Sequence, residues 1–144
     1  MAMNEDKREA LATRVDAIED CYEFMLAYAA QGREADSAAT GSGSQVRGFL
    51  ERADQALDGI GTAVVACFSE IEGMNADSFR PFVKLLEADA RGAHAAFHLV
   101  LSQPAISSQL IDNLNASIHV RTLLTDMFLI DETLKIAARV ARKK

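Results

Sequence analysis

Apolar residues recur along most of this chain in alternating steps of three and four, the spacing of a helix that buries one face. From Asn4 to about Gln31 the stripe is Leu11, Val15, Ile18, Tyr22, Met25 and Ala29, and Gly32 stops it. Gly32 to Ser44 has no periodicity and reads as a flexible loop of about a dozen residues. A second helix is predicted from Ser44 to Glu72 through Val46, Leu50, Ala53, Leu57, Ile60, Val64, Cys67 and Ile71. The run Thr62 to Phe68 has strand-like composition, but the stripe crosses it without a change of phase, so helix is assigned. Gly59 and Gly61 lie in the middle of that segment, each costing about 1 kcal/mol relative to alanine, and close helix approach or a kink is the expected compensation.

Gly73 and Asn75 mark a turn, after which Asp77 or Ser78 caps a third helix that tolerates Pro81 in its first turn. Its seam is Phe79, Val83, Leu86, Ala90, Ala93, Phe97 and Val100, and Pro104 ends it near Ser102. The fourth segment starts at Ser107 or Ser108 and meets no Gly or Pro before Lys144. It therefore reads as one helix of about 35 residues, roughly 50 Å long. Leu110, Ile111, Leu114 and Ile118 define one apolar face, and Val120, Leu123, Met127, Ile130, Leu134, Ala137 and Ala141 define another. Apolar character over most of its circumference implies a central position or a second packing partner.

Composition strengthens the helical reading. The chain has 25 Ala but only 2 Pro and no Trp, and Ala is the best helix former and Pro the worst. Ala29, Ala53, Ala90, Ala93, Ala137 and Ala141 fall on seams, where small side chains permit close helix approach. The expected fold is all-α: an antiparallel four-helix bundle with a long C-terminal helix, residues 1–144 forming one domain.

Charge and cysteine narrow the function classes. A net charge of −6 opposes contact with a phosphate backbone, so no nucleic acid is expected as a partner. The basic residues Lys135, Arg139, Arg142, Lys143 and Lys144 complement the negative end of a C-terminal helix, and the acidic Glu5, Asp6, Glu9, Asp16, Glu19, Asp20 and Glu23 suit the start and solvated face of the first. Cys21 and Cys67 have no motif spacing and read as reduced core residues. With no signal core and no run of 18 apolar residues, the expected location is the cytoplasm, with no membrane partner.

Three sets of residues are candidates for chemistry. His94 and His98 are four apart, hence on one helical face, with Glu87 two turns earlier, an arrangement that permits a transition metal. The competing reading is two helix-surface histidines at the edge of the seam. The Glu-x-x-His repeat of ferritin-like di-metal bundles is absent, since Arg91, Ala95 and Ala116 stand three before the histidines. Asp112, Asn115, His119, Thr122 and Asp126 are three or four apart and form a polar stripe on the fourth segment, either the strip that faces water or a groove that binds a small ligand. Arg121 lies in the apolar arc bounded by Leu114, Ile118, Leu124 and Phe128, where a guanidinium calls for a carboxylate or an interface.

Ser117 to Thr122 has a faint likeness to the phospho-acceptor box of sensor kinases. It lacks the acid after the histidine, where Val120 stands, and the proline after Arg-Thr, where Leu123 stands. Taken together, the residues favour a non-enzymatic interaction, adaptor or regulatory module without a cofactor, self-associating through its last helix and engaging a protein partner. Metal or small-ligand binding is the first alternative and histidine phosphotransfer the second.

Overall fold

The computed structural model describes residues 5–32 and 41–143, and all regular structure among them is helical. Six helices follow one another: α1 (Glu5–Ala30), α2 (Gly41–Leu57), α3 (Ile60–Phe68), α4 (Ala76–Leu101), α5 (Ser108–Ala116) and α6 (Ile118–Lys143). The predicted stripes become the core. Leu11, Ile18 and Met25 of α1, every stripe residue from Val46 to Cys67, and the α4 seam from Phe79 to Val100 are buried. Val15, Tyr22, Ala29 and Ile71 are only partly buried and pack against that core.

Two predicted helices are interrupted. The segment expected to run unbroken from Ser44 to Glu72 starts at Gly41, turns at Asp58 and Gly59, and ends its second part at Phe68. Gly59 adopts φ 74, a left-handed conformation that costs a side-chain-bearing residue energy, so this glycine makes a break rather than a weak point in one helix. Arg14 of α1 crosses to the break and donates to the carbonyls of Ala56 and Asp58, satisfying the exposed end of α2. Gly61 serves the other expected purpose, close approach: a Cβ there would stand 2.6 Å from Glu87 Cγ on α4.

The expected 35-residue C-terminal helix is likewise two helices, and α6, at 26 residues, is no longer than α1 or α4. Ser117 is extended, with φ −60 and ψ 130. Its N–H closes α5 on Leu114 at 3.0 Å, while its carbonyl accepts from Arg121 N–H and its Oγ from His119 N–H, both at 3.3 Å. Serine thus ends one helix and caps the next, in a conformation that needs neither Gly nor Pro.

The other caps are local and chemical. Asn75, not Asp77 or Ser78, caps α4 by accepting from Ser78 N–H at 3.1 Å. Ser107 caps α5 by accepting from Leu110 N–H at 3.0 Å. Arg47 of α2 donates to the carbonyls of Leu101 and Gln103 at the end of α4, as Arg14 does for α2. Of the predicted loop from Gly32 to Ser44, residues 33–40 lie outside the described residues, as do Lys144 and the side chains of Arg142 and Lys143 from the basic cluster.

Packing is unequal. The contact of α1 with α2 is the most extensive, α1 also touches α3 and α5, and α4 is shared by α2, α3 and α6. α6 rests chiefly on α4, with lighter contact to α5 and α1. No helix among the described residues is long and apolar enough to cross a membrane.

Candidate functional site

The break at Ser117 divides the predicted polar stripe, leaving Asp112 and Asn115 on α5 and His119, Thr122 and Asp126 on α6. Asp112 is exposed, Asn115 and Thr122 are half-buried, and His119 is exposed but turns its ring onto α4, where Nδ1 would stand 3.0 Å from a Cβ on Gly92. Asp126 is 4% exposed, one of two buried polar residues among those described. Asn115 has both side-chain polar atoms buried without a hydrogen-bond partner.

Asp126 meets a residue that the stripe did not include, Asp89 of α4. Burial first, then a hydrogen bond that the protonated carboxyl donates to Asp89, and last the charge of Asp89, push the Asp126 carboxyl up to about 7. The Oδ2 atoms of both carboxyls are buried and lack a hydrogen-bond partner among the described residues. Two carboxyls that meet across one interface cannot both ionise cheaply, which favours the protonated form of Asp126. The sequence carried a partial signal for Asp89, which lies three after Leu86 and four before Ala93 and is thereby aimed toward the seam.

His94 Nδ1 lies 2.5 Å from Asp54 Oδ1 on α2, and its ring stacks on that of His98 with centroids 6.1 Å apart. Glu87 and His94 line one open cleft of about 540 Å³, together with Asp54, Asp58, Gly61 and Arg91, and His98 is not among its lining residues. Among the described residues no group of three or more His, Cys, Asp or Glu is gathered in a way that could hold a metal ion. Asp54 had no signal in the sequence, because its partner lies 40 residues away on another helix.

A second groove, about 400 Å³, runs between α1 and α6; five carboxylates, among them Glu19 and Asp131, and Arg8 line it together with apolar residues of both helices. Burial, and after it the charges of Asp16, Asp131, Glu23 and Asp20, raise the Glu19 carboxyl. Of the acidic residues at the front of the chain, Glu19 is half-buried in this groove, while Glu5, Asp6, Glu9, Asp16, Asp20 and Glu23 are exposed, as a solvated face requires. Both cysteines are free and buried, and burial pushes the Cys21 thiol up to about 12, far from a reactive thiolate.

Arg121 is exposed, as are Ile118 and Phe128 beside it, so much of the arc it interrupts faces outward. Ile118, Leu129, Ile136 and Val140 are between 49% and 70% exposed. Their spacing along α6 puts them on the side opposite the buried Val120, Leu123, Met127 and Leu134. Compared with protein-family models, curated proteins and solved structures, the chain matches none.

Proposed function

We propose that this chain is a non-enzymatic interaction, adaptor or regulatory module of the cytoplasm that self-associates through the outer face of α6. In this reading the fold is an antiparallel four-helix bundle, with α2–α3 and α5–α6 each acting as one interrupted helix. The observation that carries the proposal is the exposed apolar strip of Ile118, Leu129, Ile136 and Val140, flanked by Phe128. Exposed apolar side chains aligned on one helix face favour an interface. Thr122 and Thr125 continue the strip between Ile118 and Leu129 in steps of four and three, the spacing with which one helix packs along a copy of itself. Two-fold pairing is the commonest way for such a face to be covered. Ion pairs Asp131–Lys135 at 2.9 Å and Glu132–Arg139 at 3.2 Å lie along the same helix.

Sedimentation equilibrium of the purified chain tests this. A dimer is expected in the micromolar range, converted to monomer by Leu129→Glu with Ile136→Glu while helical content stays unchanged. A wild-type monomer throughout that range overturns the proposal.

A second reading, a ligand site on the α5–α6 polar residues or at His94, is favoured by the unpartnered buried amide of Asn115. Zinc or nickel titration followed by calorimetry tests its metal form, with heat lost in His94→Ala as the supporting outcome and no heat in the wild type as the contrary one.

A further inference from the structure

We infer that Asp89 and Asp126 form a proton-operated latch: while a proton is held between the two carboxyls α6 is clamped on α4, and loss of that proton loosens α6 from the rest of the fold. The geometry is that of a buried carboxyl, Asp126, facing a half-buried one, Asp89, in the contact that holds α6, each with its Oδ2 shut off from solvent. α4 is the chief packing partner of α6, and its contacts with α5 and α1 are lighter. Asp126 is 4% exposed and lies among Leu123, Met127 and Ile130 of the core. Both carboxyls keep a buried oxygen without a partner, so ionisation has no hydrogen bonds to offset the loss of water.

Among the described residues, no cation acts on the Asp126 carboxyl. The neighbours of Asp89 one turn away on α4 are Leu85, Leu86, Gly92 and Ala93, and those of Asp126 on α6 are Thr122, Leu123, Leu129 and Ile130, none of them charged. His119, two turns before Asp126, rests on Gly92 and is exposed. From α5, Asp112 is exposed, and from α1, Glu19 faces Asp131. The charged group that acts on the Asp126 carboxyl is Asp89.

The direction follows from proton counting. A carboxyl whose folded value stands above the ordinary 3.8 binds more protons closed than open. Opening of α6 therefore becomes easier as pH rises from about 4 to about 7 and levels off beyond, by up to about tenfold per pH unit. The latch does not depend on what meets the outer face of α6.

Amide hydrogen exchange of the full chain at pH 5, 6, 7 and 8, corrected for intrinsic exchange, reads it out. In the wild type, α6 protection falls between pH 5 and 7 relative to that of α1 and α2. Asp126→Asn removes the differential fall, and Asp89→Asn reduces it. If Asp126→Asn does not fold, Asp89→Asn decides alone. The same α6 slope in wild type and in the folded Asn variants, or a fall shared equally by every helix, overturns the latch.

Discussion

Ser108 donates its hydroxyl to the main-chain carbonyl of Tyr28 at 2.7 Å, joining positions 80 residues apart. The Tyr28 hydroxyl in turn donates to the carbonyl of Ile106 at 2.5 Å. Both side chains are buried, so the end of α1 and the entry to α5 are clasped in a region where water does not compete for the same groups. Adjacent serines thereby divide two tasks: Ser107 caps α5 and Ser108 holds α1.

Tyr28→Phe and Ser108→Ala are each expected to lower stability by about 1–3 kcal/mol, because each leaves a buried carbonyl without that donor. Urea denaturation of the two single variants and the double variant measures this. Coupling is expected, since both bonds fix the same short connection. Losses within experimental error of zero for both single variants would show that the clasp does not contribute to stability.

For pH, the sign is set by the raised Asp126 carboxyl. The folded chain binds more protons there than the unfolded chain between about pH 4 and pH 7, so this site contributes a loss of stability as pH rises through that window. The loss is on the order of 2–4 kcal/mol at most, at about 1.4 kcal/mol per tenfold change in proton affinity. Asp126→Asn keeps the shape without the charge and should gain on the wild type at pH 8 but not at pH 4.5, as read by denaturant midpoints. A constant difference between the two proteins across that range would contradict the assignment.

At the α2–α3 break, the two glycines should cost stability for different reasons, and only one loss should be reversible. Gly59→Ala places a side chain at φ 74 and is expected to cost about 1–2 kcal/mol. Gly61→Ala forces Glu87 aside, because the new Cβ would lie 2.6 Å from its Cγ. Removing that obstacle in Gly61→Ala with Glu87→Ala should recover the helix-propensity gain of up to about 1 kcal/mol. Thermal denaturation of the three variants distinguishes the roles, and a loss in Gly61→Ala that Glu87→Ala does not reverse would erase the distinction.

Much of the fold was legible in the chain. The α4 seam from Phe79 to Val100 and every stripe residue from Val46 to Cys67 are buried as the periodicity predicts, because burial of one helix face repeats every three or four residues whatever the neighbour is. The Ser117 break is not legible in the chain, because an extended serine leaves no mark as strong as Gly or Pro and the stripe continues on both sides of it. The polar stripe pointed to Asp126 but not to Asp89, and the histidine pair pointed to His94 but not to Asp54. In both cases the partner lies on a different helix, and local spacing carries no information about which helices meet.

By itself the sequence determined that the chain is helical, which faces are apolar, and that its last segment holds more apolar surface than one face requires. These follow from short-range periodicity and residue propensity. Tertiary structure alone decided that Arg14 and Arg47 close the ends of α2 and α4, that Gly61 admits Glu87, and that Asp126 shares its interface with a second carboxyl. Those outcomes depend on the register between helices, which is set by how side chains from distant parts of the chain fill one core.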